Sequence, residues 1–367
     1  MYALPEEKER PAITFAQLLE QRRWDDYLTF IQEAPKTYAV ELGEELKRES
    51  RLRKAIREEL LTERFEIRKY EPRLAQAEKE LFSGRVIGVD GTVAKHRTLA
   101  GVRCQIGVVA VNYLNDKLRQ SYYISEAKFE ADYKEAVDVL KARETKGRVI
   151  SDMVIRALLL YREREVAMRD EYKGAYKMLH GPLLAFELMT GLGRLRALEA
   201  TLGILERVSR DPRCFSIISS TTQDDYMTLG MALEPGEYLA EPRYSLGDEI
   251  AANEDFMAEG KWRPGEFARM KEFLKECASR IAIGVIKVSE RPYIFHAHRE
   301  TFDLAAAIIA RDALLQREKG FPLLIDYADS LCSEYFPAGD FASVLTYKLA
   351  KEGQFLSQMS ERAMRVK

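Results

Sequence analysis

Between residues 84 and 129 three runs rich in β-branched and aromatic residues follow one another: "RVIGVD" (85–90), "CQIGVVAVNY" (104–113) and "RQSYYISEAKF" (119–129). Such runs read as strands, and their short connections predict an antiparallel meander. The pattern then changes. Ser151 is placed to cap a helical run, "DMVIRALLLYREREVAMRDEYK", that Gly174 can terminate, and "AYKMLH" (175–180) reads as a fourth strand. A helix over about 194–209 and the strand "CFSIISST" (214–221) follow.

Strand, strand, strand, helix, strand, helix, strand is the order of an RNase H-like core. The expected fold class is therefore α/β, a mixed sheet flanked by helices, in which the first and fourth strands lie side by side. Later, "IAIGVIKV" (281–288) and "PYIFHAH" (292–298) read as two more strands, with helices from there to the C-terminus.

Ahead of this core the grammar differs. From Glu41 to Glu80 there are 11 Lys/Arg and 11 Asp/Glu, with Leu52, Ile56 and Leu60 four residues apart and no glycine after Gly43. That predicts one long, charge-laced helix and places a division near residue 82: a helical N-terminal arm over 1–82 and the main domain over 83–367. A helix so polar has a narrow apolar stripe, which either packs on its own domain or docks a partner.

With a net charge of −2, the field of the whole molecule does not attract a nucleic-acid backbone, so any such binding needs a local basic groove. No run approaches eighteen uncharged apolar residues, and "MYALPEEKERPAITF" lacks the basic-then-apolar order of a signal peptide. The expectation is a cytoplasmic protein with no membrane partner. Cys104, Cys214, Cys277 and Cys332 are each isolated, which points to buried free thiols rather than a zinc site or a disulfide framework.

Candidate chemistry falls on the strand ends and on one helix. Asp90 closes the first strand and His180 the fourth, each followed by glycine, and strand ends open onto the crevices where α/β sheets bind ligands. Asp90-Gly91 also reads as an ordinary hairpin turn. On its helix Glu163 has Leu159, Leu160, Val166 and Ala167 three and four residues away, so it points to the core side, where an acid must be ion-paired or bind a metal. Glu165 instead sees Arg162 and Arg169 at the same spacings. An arginine from elsewhere could pair with Glu163. If instead it converges with Asp90 and His180, the three oxygen and nitrogen donors suit Mn²⁺ or Mg²⁺ and hydrolysis of a phosphodiester.

Three weaker features stand beside these. Gly191-x-Gly193 lacks a strand directly before it and reads as a loop into a helix. His296 and His298 share a strand face without a third ligand nearby. Lys95, His96 and Arg97 read as a basic loop for phosphate contacts or a polar hairpin tip.

Taken together, "VIGVDGT" (86–92), the Glu163 helix, "MLHGPLL" (178–184) and "GFPLLIDYADSLC" (320–332) resemble the NurA nucleases, partners of the HerA translocase, over about residues 82 to 340. The resemblance implies an RNase H-like NurA nuclease domain, a homodimer with a channel for DNA, manganese-dependent cutting, and docking onto a HerA-type hexameric ATPase in DNA-end processing or anti-phage defence. It maps the family's site onto Asp90, Glu163, His180 and Asp329. The chain departs from the pattern in that His180 stands where the family has aspartate, Asp329 where it has histidine, and Phe321 where it has tyrosine. An exchange of carboxylate and imidazole keeps one of each. A catalytically degenerate module of the same fold, binding DNA or regulating the ATPase, is the alternative that these departures imply.

Overall fold

The computed structural model describes residues 27–61, 65–98, 101–114, 117–127, 152–192, 196–219, 224–241, 244–254, 256–258 and 262–354. The chain forms two compact units, Met1–Ala55 and Ile56–Lys367. In the first, helix α1 (Tyr27–Ala55) runs for 29 residues and carries the exposed pairs Glu44–Lys47 and Glu49–Arg53. Pairs of this kind each add only a few tenths of a kcal/mol, about 0.2–0.5.

The single helix expected from Glu41 to Glu80 is not what forms. The second unit opens on one π-helical turn (Ile56–Leu61), followed by strand β1 (Glu66–Lys69), a short 3₁₀ turn at Glu71–Arg73 and helix α2 (Leu74–Phe82). Strand β1 pairs antiparallel with β7 (Glu237–Ala240), so a sheet edge overrides the helical charge pattern. Pro72 was the available signal, since proline supplies no N–H and clashes inside a helix. Arg57 fastens the start of this segment by a two-pronged contact with Glu237 at 2.7 and 3.2 Å.

Among the described residues nine strands join one mixed sheet in the order β1-β7-β8-β9-β6-β5-β2-β3-β4. Strands β2 (Val86–Thr98), β3 (Gly101–Val111) and β4 (Lys117–Ala127) form the expected antiparallel meander. Helix α3 (Asp152–Ala167) then leads to β5 (Tyr176–His180), which runs parallel to β2. Two helices, α4 (Phe186–Met189) and α5 (Leu198–Arg210), lead on to β6 (Cys214–Ile218), parallel to β5. The portion β4-β3-β2-β5-β6 thus has the RNase H-like order, with the first and fourth strands adjacent.

Helices α6 (Asp224–Met231), α7 (Leu246–Ala251) and α8 (Glu266–Glu276) lie on either side of β7 in sequence and lead to the hairpin β8 (Ile281–Lys287) and β9 (Pro292–His298), which extends the sheet through β6. Helices α9 (Phe302–Ala313), α10 (Leu323–Tyr335) and α11 (Ala338–Lys351) complete the described chain.

Strand alternation divides the core into two layers. Ile87, Val89 and Leu179 face α3 and α5, whereas Val86, Met178 and Ile217 face α9 and α10. Helices on both faces explain why β6, β8 and β9 are buried along their whole length. At Gly88 a Cβ would lie 2.9 Å from Leu324 Cγ and from the Leu324 carbonyl oxygen, so the absence of a side chain is what lets α10 rest directly on β2. The four cysteines are buried and form no disulfide. Among the described residues no helix is long and apolar enough to cross a membrane.

Candidate active site

Asp90 does not end its strand. Strand β2 continues to Thr98, with Asp90 opposite Val109 and Gly91 opposite Val108, so the Asp-Gly pair is mid-strand and no hairpin turn is made there. What ends at this level is the parallel neighbour: β5 pairs with β2 only from Val86 to Val89. Lys95, His96 and Arg97 lie within the same long strand rather than in a loop. The pattern missed this because a glycine within a paired strand and a glycine in a turn look alike in sequence.

His180 comes to Asp90 as the strand order requires. Its Nδ1 lies 3.3 Å from Asp90 Oδ1, and its Nε2 lies 2.8 Å from Ser219 Oγ at the end of β6. Burial pulls the imidazole down, but the hydrogen bond to Asp90 and the charge of that carboxylate outweigh it, so His180 holds a proton to higher pH than a free ring. The Phe321 ring meets it edge-on, with centroids 5.8 Å apart.

Glu163 reaches the same region from the other side of β2. A Cβ on Gly91 would lie 2.9 Å from Glu163 Oε1 and 2.6 Å from Leu159 Cδ1, which places the carboxyl against the glycine that follows Asp90. Asp90 and His180 share the α10 side of the sheet with Val109 and Ile217, and Glu163 belongs to the α3 side. They meet where β5 stops and β2 is left without a strand on that flank. Glu163 is 2% exposed; burial first, and then the Asp90 charge, push its pKa up to about 8 against the pull of Arg164 and His180.

Arg164 is the residue that sequence reasoning passed over. It is fully buried, donates to the carbonyls of Leu160 (2.7 Å), Leu183 (3.2 Å) and Pro182, and stands 3.6 Å from Glu163 Oε2. One guanidinium therefore ties the segment after His180 to the helix that carries Glu163. Its neighbours on α3 hinted at this, since a core-facing acid needs a counter-charge, but an adjacent arginine normally points elsewhere on a helix.

Asp329 lies at the surface on α10. Partial burial and the charge of Asp90 raise its carboxyl above the ordinary range, and the charge of His180 opposes them. It therefore belongs to the rim of the site rather than its centre. One turn on, the Cys332 thiol donates to the Asp90 carbonyl oxygen at 3.3 Å.

Two carboxylates and an imidazole are donors that suit Mn²⁺ or Mg²⁺, and Glu163 Oε2 is buried without a hydrogen-bond partner, an oxygen suited to a cation. That chemistry fits a divalent ion held by Asp90 and Glu163, with His180 beside them. As they stand, no three His, Cys, Asp or Glu side chains among the described residues are grouped to hold a metal ion, and both His180 nitrogens have protein partners.

The site makes Gly91→Ala a sensitive probe. The new methyl meets Leu159, Glu163 and the Gly107 carbonyl oxygen at 3.1 Å, so it must push the Glu163 carboxyl away. A loss of about 1–3 kcal/mol in urea unfolding is expected from such overpacking, together with loss of whatever activity Glu163 supports. An unchanged urea midpoint would contradict the packing.

The other candidates resolve differently. His296 and His298 are both buried on one face of β9, and the Glu300 N–H donates to His298 Nδ1 at 3.3 Å. Gly191 sits in a turn at φ +60°, and Gly193 lies outside the described residues.

No family model matches the sequence. No curated protein matches it either. Among solved structures, the chain is similar to the NurA nuclease from Sulfolobus solfataricus, with a TM-score of 0.47 and 11% identity over 87% of this chain and 98% of that one. It is also similar to a NurA crystallised with manganese (TM-score 0.44, 11% identity, 86% of this chain and 98% of that one). A NurA bound to dAMP and manganese aligns with a TM-score of 0.35 and 12% identity, over 71% of this chain and 89% of that one.

Proposed function

We propose that the protein is a divalent-metal-dependent DNA nuclease of the NurA type, in which Asp90, Glu163 and His180 form the centre and hold Mn²⁺ or Mg²⁺, and Asp329 stands at the rim. The observation that supports this reading is the meeting of Asp90, His180 and the buried Glu163, whose Oε2 has no hydrogen-bond partner, at the point where β5 ends beside β2. When bound there, the ion would activate a water and stabilise the leaving oxygen of a phosphodiester. Asp90 is oriented by the His180 ring and by the Gly91 N–H, which donates to Oδ1 at 2.9 Å. Glu163 gives up its proton only above the ordinary carboxyl range, so loading the site at neutral pH releases a proton.

The resemblance to the NurA nucleases implies the partners: a homodimer, DNA, and a HerA-type hexameric ATPase that feeds the DNA during end processing or anti-phage defence in the cytoplasm. The second reading, a non-cutting module that binds DNA or regulates the ATPase, is favoured by one observation: His180 spends both ring nitrogens on Asp90 and Ser219.

The purified protein, with and without the ATPase, should be incubated with linear and circular DNA and Mn²⁺ beside Asp90→Ala. Metal-dependent products lost in Asp90→Ala are expected. No product above that variant in either setting removes the nuclease reading and leaves the non-cutting one.

A further inference from the structure

Strand β6 stops at Ile218, and Ser219 follows it, beside the end of β5. The Ser219 hydroxyl lies 2.8 Å from His180 Nε2, while Asp90 Oδ1 lies 3.3 Å from Nδ1 on the other side of the same ring. A carboxylate only accepts, so Asp90 keeps the ring proton on Nδ1 and leaves Nε2 to accept from the hydroxyl. The Asp90 side chain is enclosed, at 7% exposure, whereas His180 is 31% exposed and Ser219 is partly exposed. A buried acid, an oriented imidazole and an accessible hydroxyl, joined through these two nitrogens, form the arrangement that turns a serine into a nucleophile. It is recognised by the roles of its parts rather than by their order in the chain.

Each of the three parts is fixed from outside. The Phe321 ring meets His180 edge-on with centroids 5.8 Å apart, and Tyr293 backs Phe321 at 5.1 Å. The Gly91 N–H donates to Asp90 Oδ1 at 2.9 Å. Arg291 Nη2 donates to the Ser219 carbonyl oxygen, also at 2.9 Å, which holds the backbone that presents the hydroxyl. Little reorganisation is then needed before Ser219 can pass its proton to the ring.

The surroundings select the electrophile. Arg291 brings a guanidinium to the Ser219 backbone, and the Lys319 ammonium, paired with Asp326, lies 5.4 Å from the centroid of the Phe321 ring. Cations so placed suit the oxygens of a phosphoryl group. An acyl oxyanion instead needs N–H donors aimed at it, and the Gly181 N–H next to His180 is already given to the Ile217 carbonyl oxygen at 2.8 Å.

We propose that Ser219 is a nucleophile, activated by His180 and Asp90, that attacks the phosphorus of a phosphodiester without a metal ion. As the bond from Ser219 Oγ to phosphorus forms, the bond from phosphorus to one sugar oxygen breaks. The Oγ proton passes to His180 Nε2 and from there to the departing oxygen, which leaves one free hydroxyl end and one end esterified to Ser219. A water that gives its proton to the same ring then cleaves the ester and restores the serine. The inference rests on the nuclease reading above for its substrate and for nothing else.

The test uses the full-length chain in EDTA at alkaline pH, so that the His180 ring is free to accept a proton. An alkyl fluorophosphonate is added as the phosphorus electrophile, and modified serines are located by peptide mass spectrometry, with the exposed Ser330 as internal reference. Ser219 should be labelled at least about tenfold faster than Ser330. The adduct should vanish in Ser219→Ala and fall to the Ser330 rate in His180→Gln, with urea unfolding to confirm that the variant is folded. Asp90→Asn, which turns the ring to the wrong tautomer, should slow labelling as well. A short DNA strand with a bridging phosphorothiolate, whose sulfur leaves and does not return, should stay linked to the denatured parent chain. Labelling of Ser219 no faster than Ser330, or labelling unchanged in both His180→Gln and Asp90→Asn, overturns the nucleophile. Labelling without a DNA-linked chain overturns the phosphodiester as its substrate. No Ser219 adduct beside Mn²⁺-dependent cutting removes Ser219 and leaves the nuclease reading, whereas a DNA-linked chain without Mn²⁺-dependent cutting supports Ser219 and removes the ion from that reading.

Discussion

Glu163→Gln is expected to remove metal-dependent cutting while making the metal-free protein more stable at alkaline pH. Glu163 holds its proton more tightly in the folded chain than in the unfolded one, because burial and the Asp90 charge raise it from 4.5 to about 8. The folded state thus carries the extra proton between those values, and its stability is full below the lower one and falls as pH rises through the upper one. At about 1.4 kcal/mol per pKa unit, the loss across that window amounts to several kcal/mol. Glutamine keeps the shape of the protonated acid and has nothing to lose.

Thermal unfolding in EDTA from pH 5 to 9 should slope downward for the parent chain and run much flatter for Glu163→Gln. A smaller slope of the same sign persists, because His180 is also raised and its contribution fades as pH climbs past its own range. The same variant should lose at least about a hundredfold in cutting rate, since a ligand that stabilises transition-state charge is worth several kcal/mol. Identical pH slopes for the two proteins would mean that Glu163 is not the buried acid described.

Arg164→Ala is expected to be the most destabilising single change at the site, by about 3–5 kcal/mol. Its guanidinium is fully enclosed, serves three backbone carbonyls and faces Glu163 Oε2 at 3.6 Å. Truncation leaves those carbonyls without their donor and a buried acid without its nearest cation. Arg164→Lys should recover little of the loss, because a single ammonium cannot reproduce a planar fork that reaches Leu160, Pro182 and Leu183 together. Urea unfolding of both variants is the measurement. A cost below about 1 kcal/mol for Arg164→Ala, the scale of an exposed ion pair, would rule out this role.

Both predictions depend on what chain order conveyed and on what it did not. The periodicities of the runs around Asp90, Glu163 and His180 were legible: alternation and valine content marked β2 and β3, and the apolar neighbours of Glu163 marked it as the inward-facing acid of α3. Side-by-side placement of the first and fourth strands followed from that order, and with it the contact of His180 with Asp90. These are local signals, since period 2 and period 3.6 are properties of the chain itself.

Other features were settled only when distant segments met. Residues 66–69 lie in a stretch with the charge pattern of a helix and became a strand because β7 offered an edge; Gly91 had the look of a turn and stayed in the ladder because β3 paired across it. The split of Asp90 and Glu163 between the two faces of β2, the enclosure of Arg164 and the unpartnered Oε2 of Glu163 are likewise absent from any one segment. The sequence by itself determined which side chains could do chemistry and which way each element turns its apolar face. Tertiary structure decided which of them meet, because strand partners, burial and counter-charges are relations between segments far apart in the chain.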